Sequence, residues 1–167
     1  MRKEQVTMFN KKSKLKLAGV LIACAMTAIA LRSAWATPGS KITTTIIAGP
    51  TALGDNHVKS ESDVNEVHVK TKGSSDCYVV LNRIQPGGHT GWHSHPGPSF
   101  VSVVSGTATE YRDDDAAATV YPAGNAFVDE GGDHAHIIVN EGTTELVLVA
   151  FQILPDGAER RIDKPAP

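Results

Sequence analysis

Short runs of apolar and β-branched residues alternate with turn residues along most of the chain, and none of these runs shows a helical period. The runs are rich in Val, Ile, Thr and aromatic residues and occupy residues 42–48, 66–70, 77–85, 100–111, 118–121, 126–129, 136–139 and 145–154. Clusters of Gly, Pro and Asp separate them, as at Pro86-Gly87-Gly88. This spacing of short strands predicts an all-β sandwich or barrel.

Two segments outside the strand-like runs have a different character. Residues 49–65 are polar and irregular, which favours a surface arm or loop, and the charged, Pro-ended tail is expected to drape over the domain. The predicted organisation is a signal peptide at 1–36, an N-terminal arm with the first strands at 37–75, a barrel core at 76–154 and a C-terminal tail at 155–167.

The first 36 residues are typical of a bacterial export signal. Four lysines, at 11, 12, 14 and 16, lie directly before an apolar run at 17–31, and Ala34-Trp35-Ala36 forms a small-x-small cleavage site. The run is too short to favour a transmembrane helix, so the mature chain is expected to have none. Cleavage after Ala36 predicts an exported protein, periplasmic or extracellular. Lipidation at Cys24, in the lipobox-like Leu21-Ile22-Ala23-Cys24, is a rival interpretation, and an uncleaved membrane anchor is a third.

Removal of this signal changes the charge and the cysteine count. The chain has 16 basic and 18 acidic residues, of which seven basic and one acidic lie in 1–36, which leaves nine basic and 17 acidic residues, a net charge of about −8. An acidic domain without a basic stripe is a poor candidate for binding nucleic acid or anionic membranes. Cys77 would be the one remaining cysteine, so no internal disulfide is expected and a buried apolar role is favoured.

The histidines supply the candidate chemistry. His93 and His95 are two residues apart, so an extended segment would present both imidazoles on one face. His136 begins a later strand-like run, which an antiparallel meander could return to the same cavity. His134 competes with His136 for this third position.

Two segments resemble the signatures of the cupin superfamily. Gly87 to Gly106 reads Gly-x5-His-x-His-x10-Gly, and Pro122 to Asn140 reads Pro-x-Gly followed by His136-x3-Asn140. The resemblance covers about residues 76–154 and implies a single antiparallel cupin-like β-barrel, a double-stranded β-helix or jelly roll. It also implies that His93, His95 and His136 are metal ligands, that Gly106 lies in a turn, and that Asn140 supports the third ligand.

One position departs from this pattern, because the family usually has a Glu ligand where this chain has Ser99. A metal held by three neutral imidazoles would keep its positive charge and an open position, and Fe, Zn, Cu and Ni all suit such a site. Donors that could replace the missing carboxylate or a histidine are His89, Asp129, Glu130, Asp133 and His134. Residues expected in the pocket or behind the ligands are Asn140, Trp92, Ser99, Phe100 and Phe127, with Tyr78 and Phe151 as further aromatic candidates.

The expected function is therefore an exported, small-molecule metalloenzyme with one divalent transition metal and dioxygenase or isomerase chemistry. The alternatives are a barrel that binds a small ligand without catalysis and a structural barrel that binds no metal. Barrels of this family often form dimers, so a homodimer is also expected. The sequence identifies neither the substrate nor a general acid or base.

Overall fold

The computed structural model describes residues 36–167, and the predicted export signal lies, apart from Ala36, outside this range. The described chain contains β-strands and no helix, and so no helix that could cross a membrane. The strands are β1 (Ser40–Leu53), β2 (Asn56–Glu61), β3 (Glu66–Thr71), β4 (Ser75–His89), β5 (His93–Ser94), β6 (Ser99–Ser105), β7 (Thr107–Arg112), β8 (Asp115–Pro122), β9 (Ala126–Asp129), β10 (His136–Val139), β11 (Leu146–Pro155) and β12 (Ile162–Asp163).

Ten of these strands form one antiparallel sheet that curls into a nearly closed, cupin-like barrel. The order along the main path is β12-β5-β10-β4-β11-β6-β9, while β1 pairs with β4, and β7 pairs with β10 and β8. Strands β2 and β3 form a separate two-stranded ladder. The sequence-based prediction of an all-β antiparallel barrel is confirmed.

The barrel core comes from side chains that alternate along β4, β6 and β11. On β6, Val101 and Val103 are buried whereas their neighbours are exposed, as expected for a strand with one face toward the interior. Ile84 and Leu148 are among the largest fully buried side chains. Each such side chain stabilises the fold by about 1.5–3 kcal/mol relative to an exposed position. These contacts hold rigid the strands that carry the candidate site.

The structure corrects two predicted element boundaries. The loop expected at 49–65 is wrong, because β1 runs to Leu53 and residues 56–61 pair with 66–71 as a hairpin. This hairpin is solvated on most positions, so it lacks the apolar alternation by which half-buried strands are recognised. The single strand expected at 100–111 is two strands that meet at Gly106, in the turn implied by the family resemblance. Gly106 has φ of +76°, and a Cβ there would lie 2.9 Å from the Glu145 carbonyl oxygen.

The C-terminal segment is part of the barrel mouth and is not simply draped over the surface. Ile162 and Asp163 pair with Ser94 and His93, and the backbone nitrogen of Lys164 donates to the carbonyl of Trp92. The tail is therefore hydrogen-bonded to the strand that carries the first histidine of the candidate site.

Candidate metal centre

Three buried histidines meet at one end of the barrel. His93 lies on β5, His95 follows two residues later, and His136 on β10 is the cross-strand partner of His93. One ring nitrogen from each lies within 4.8 Å of the other two. The ring centroids are 4.5 Å apart for His93 and His136, and 4.9 Å for His93 and His95. The structure thus brings together the three residues that the motifs select.

Each imidazole has a hydrogen-bond acceptor behind it. Nδ1 of His93 lies 2.8 Å from the Gly91 carbonyl, and Nδ1 of His95 lies 2.7 Å from the Arg160 carbonyl. Nδ1 of His136 lies 2.9 Å from Oε1 of the buried Glu110. Because carbonyl and carboxylate oxygens accept, each Nδ1 carries the proton and donates it. The Nε2 lone pairs are left for another partner.

The protonation of these histidines favours metal binding. Burial holds the pKa of His93 well below its usual range, and the nearby His136 and Arg161 lower it further. Burial also lowers the pKa of His95 to about 4, against a partial opposing effect of its bond to the Arg160 carbonyl. Both rings are therefore neutral at neutral pH, which is the form that binds a metal ion.

The residues present fit a divalent transition metal. Nε2 of His136 is buried and has no hydrogen-bond partner among residues 36–167, as expected for a nitrogen that binds a metal ion. Two nitrogens bound to one metal at ~2.1 Å lie about 3.0–3.5 Å apart, so three nitrogens within 4.8 Å of one another need only a small contraction. Three imidazoles suit Zn, Fe, Cu or Ni, and the donor set alone does not choose among them.

A second buried carboxylate lies beside the histidines. Oδ2 of Asp129 is 3.9 Å from Nε2 of His136, and it also lacks a hydrogen-bond partner in the described part of the chain. Its other oxygen accepts from the backbone nitrogen of Gly131 at 3.2 Å. Asp129 is the cross-strand partner of Ser99, which occupies the usual position of the family's Glu ligand. A carboxylate therefore remains near the site, from the neighbouring strand.

The histidines open into a cavity of about 270 Å³ inside the barrel. One part of its wall is apolar and includes Val80, Phe127 and Leu148. Near the histidines the wall is polar, and Arg160 and Arg161 of the C-terminal segment contribute to it. A partly open cavity with apolar walls and a few convergent polar groups is a common form of small-molecule site.

Comparison with known proteins agrees with this architecture. Residues 80–151 match the family model described as "Cupin domain". This part of the chain is a cupin domain. No curated protein matches the sequence at a significant level.

Among solved structures, this cupin is similar to the polyketide cyclase RemF of Streptomyces resistomycificus, with 14% identity, a TM-score of 0.52, and coverage of 76% of this chain and 74% of that one. A double-stranded β-helix protein of Klebsiella pneumoniae has 23% identity and a TM-score of 0.45, with coverage of 53% and 76%. A cupin-like protein of Thermotoga maritima has 20% identity and a TM-score of 0.48, with coverage of 54% and 65%. At such identities, similarity concerns the fold alone.

Several predicted donors lie away from the three-histidine cluster of this cupin. His134 is exposed and its Nδ1 lies 3.3 Å from a carboxylate oxygen of Asp114. Glu130 is exposed and pairs with Arg112 at 3.1 Å. Nδ1 of His89, at the end of β4, accepts from the backbone nitrogen of Gly91. Asp133 is also exposed. The choice of His136 over His134 agrees with the geometry, since only His136 joins His93 and His95 in one group of ring nitrogens.

Some of the predicted pocket residues line the cavity and others lie outside it. Phe127 and Ser99 line the cavity, and the Ser99 hydroxyl accepts from the Gln152 amide at 2.9 Å. Phe100, which was expected in the pocket, is 45% exposed on the outer face of β6, because side chains alternate and Ser99 points inward. Trp92 is only partly buried and is outside the cavity lining.

Asn140 is fully buried, but it does not support His136 as the resemblance implies. Its amide nitrogen donates to the carbonyls of Ile84 and Thr144, both at 2.8 Å, and its oxygen accepts from Gly142. Asn140 therefore fixes the turn between β10 and β11 against the end of β4. Of the aromatic candidates, Phe151 is exposed beside Phe100, and Tyr78 packs against the apolar core.

Three residues that surround the histidines were not anticipated from the sequence. Glu110 stands in Thr-Glu-Tyr-Arg, which is typical of a solvated strand, and Arg160 lies in the tail. Gln152 interrupts the apolar run of β11. A polar residue within a predicted core strand indicates a buried polar contact, and this was the one signal in the sequence for these three residues. Its amide bridges Ser99 and Arg160, with Nη1 of Arg160 donating to Oε1 at 3.3 Å.

Proposed function

We propose that this cupin binds one divalent transition metal through His93, His95 and His136 and uses it to transform a small molecule in the barrel cavity, in a dioxygenase or isomerase type of reaction. One observation carries the proposal. Nδ1 of each histidine donates its proton to an oxygen of the protein, so the Nε2 lone pair of each ring is available to a metal, and the three rings are grouped at the cavity. In a purely structural histidine, a buried ring nitrogen is expected to have a hydrogen-bond partner. A buried Nε2 without such a partner is expected where the nitrogen binds a metal.

Each group near the metal site has a distinct role in this proposal. When bound, the metal would supply Lewis acidity and, if it is redox-active, electron transfer. Glu110 holds His136 in the ligating tautomer, and the Arg160 carbonyl does the same for His95. Oδ2 of Asp129, 3.9 Å from Nε2 of His136, would place a negative charge beside the bound metal. The apolar wall around Phe127 excludes bulk water.

Export and assembly belong to the same proposal. Cleavage after Ala36 would release an acidic domain into the periplasm or the medium, where metal supply sets which ion is bound. A homodimer is expected, and the exposed Phe100, Val128 and Phe151 form an apolar row across three neighbouring strands of the outer face. The ligand in the cavity is a small molecule, and nucleic acid is not a partner.

The test is metal analysis of the mature protein, purified without chelator or affinity histidines. We expect close to one transition metal per chain by plasma mass spectrometry. His93→Ala and His136→Ala should lose it. His134→Ala and His89→Ala serve as matched controls because they remove an imidazole outside the cluster, and they should retain the metal.

The possible results separate the candidate functions. A bound redox-active metal that is lost in both cluster variants would support the proposal and would justify an oxygen-uptake screen. A wild-type protein that contains no metal and binds none on titration would contradict it, and would leave a barrel that binds a small ligand or is structural. Retention of the metal in both cluster variants would place the site elsewhere.

A further inference from the structure

The cavity contains an arginine that has no acidic partner. Of the four arginines in residues 36–167, Arg83, Arg112 and Arg161 each form an ion pair with a carboxylate. Arg160 has no carboxylate within 4.0 Å among the described residues, and the protein bond of its guanidinium is the one to neutral Gln152. Burial lowers the pKa of Arg160 and the neighbouring Arg161 lowers it further, against an opposing effect of Tyr78.

The contacts of Arg160 place its guanidinium in the polar part of the cavity. Nη1 donates to Oε1 of Gln152, a residue that is only 2% exposed and lines the cavity. The Gln152 amide nitrogen lies 3.3 Å from Nδ1 of His95 and donates to Ser99. A guanidinium presents five N–H donors, and one bond to an amide leaves most of them for a ligand. The guanidinium and the three-histidine cluster thus share one pocket.

The formal charges around the site predict the charge of that ligand. The carboxylates of Glu110 and Asp129 are both buried next to His136, and together they balance a divalent cation. Arg161 is balanced by Asp163 at 2.5 Å. Arg160, which is partly buried, then remains as one positive charge without a carboxylate partner among the described residues. A partly buried charge without a partner is unfavourable, so the site favours a ligand that brings a single negative charge.

The cavity also limits the size and polarity of the ligand. A volume of about 270 Å³ is slightly below the usual ~300–1,000 Å³ of ligand pockets, so the occupant is small. The apolar part of the wall includes Val80, Ile138 and Leu148, which fit a short hydrocarbon portion. The planar fork of an arginine matches a carboxylate with two parallel hydrogen bonds.

We propose that Arg160 is the anion-binding residue of this cavity and that the substrate is a small monocarboxylate. The inference rests on the proposed small-molecule function, but the lack of a carboxylate partner for Arg160 among the described residues does not depend on the metal. The carboxylate lies against the guanidinium, and the remainder of the molecule extends between the histidines and the apolar wall.

The test is calorimetric titration with a panel of small carboxylates, namely acetate, lactate, pyruvate and benzoate, beside their uncharged amides. Zinc-loaded and metal-free protein are both titrated, for the wild type, Arg160→Gln and Arg160→Lys. Arg83→Gln is the matched control, because it removes an equal charge from an arginine that pairs with Glu145 on the surface. Circular dichroism and melting temperature verify that each variant is folded, and zinc content is measured on each sample.

We expect at least one carboxylate of the panel to bind the wild type more tightly than its amide. Arg160→Gln should weaken the binding of that carboxylate by about 10- to 100-fold, as for loss of a hydrogen bond to a charged group, and leave amide binding unchanged. Arg160→Lys should lie between them and Arg83→Gln should match the wild type. Equal affinity of wild type and Arg160→Gln, equal affinity for acid and amide, or no carboxylate binding would overturn the inference.

These results are independent of the fate of the metal proposal. Carboxylate binding that depends on Arg160 in a protein unable to hold zinc would support the anion site and contradict the metal site. Zinc binding by the histidines with carboxylate affinity unchanged in Arg160→Gln would do the reverse.

Discussion

Glu110→Gln should weaken metal binding without unfolding the barrel. Oε1 of Glu110 accepts the Nδ1 proton of His136 at 2.9 Å, and both side chains are about 95% buried. Oε2 accepts from the hydroxyl of Tyr121 at 3.3 Å. Gln has the same shape, so its oxygen can still accept from His136 and its amide group can still contact the tyrosine. The substitution therefore removes a negative charge and leaves the packing of the side chain nearly unchanged.

The expected magnitude follows from the loss of that charge. A carboxylate behind a ligating imidazole increases its basicity and fixes its orientation, and removal of such a partner usually costs about 10- to 100-fold in metal affinity. This corresponds to about 1.4–2.8 kcal/mol at ~1.4 kcal/mol per tenfold change. Because the pair is buried, water does not take over the role of the carboxylate.

The assay is competition for zinc against a chromophoric chelator, with the wild type, Glu110→Gln and Glu141→Gln. Glu141 is the control, since its carboxylate also accepts from a tyrosine, Tyr111, but on the exposed surface. Its substitution should leave zinc affinity unchanged. Equal zinc affinity of Glu110→Gln and the wild type would refute the assigned role of Glu110. Equal weakening by both variants would show a general charge effect.

Three further predictions concern the residues around the site and the turn that closes it. Asp129→Asn should retain the metal, because the carboxylate of Asp129 lies outside the group of three ligand nitrogens, and metal analysis that shows loss would make Asp129 a ligand. Metal-free protein should have full stability above about pH 6.5 and lose it as the pH falls, because folded His95 has a pKa of about 4, the pKa of His93 is also lowered, and the unfolded chain takes up both protons first. His95 should contribute on the order of 3 kcal/mol to the decrease between pH 6.5 and 4, so urea titrations should show a decrease smaller by that amount in His95→Gln. Gly106→Ala should destabilise the fold more than Gly124→Ala. Both glycines have a positive φ, but only a Cβ at Gly106 would lie 2.9 Å from backbone atoms. Thermal melts that show equal decreases in melting temperature for the two variants would contradict this.

The residues that could be predicted from the sequence are those whose role depends on local spacing. His93 and His95 lie two apart on an extended segment, and this alone directs both rings to one side. Gly106 has the backbone angle that a turn there requires. Their partner His136 begins a strand-like run, and it could be selected over His134 because only His136 has an Asn, Asn140, at the offset of the family motif.

The residues that escaped prediction depend on pairing between distant parts of the chain. Glu110 faces His136 only because β7 pairs with β10, and a sequence does not display that register. Phe100 was assigned to the wrong face because the inward parity of β6 is set by its pairing with β9 and β11. Arg160 reaches the cavity through the two-residue pairing of β12 with β5, too short to be recognised as a strand.

Two of the three histidines take their orientation from main-chain carbonyls, those of Gly91 and Arg160. A side-chain substitution does not remove a main-chain carbonyl. An alanine scan would therefore detect the role of Glu110 but not the roles of the Gly91 and Arg160 carbonyls. The bond from Arg160 joins His95 to a chain position 65 residues away. A protease that cuts between Pro155 and Arg160 would separate that carbonyl from the barrel strands, and His95 would lose the acceptor that orients it although all three histidines stayed in the chain.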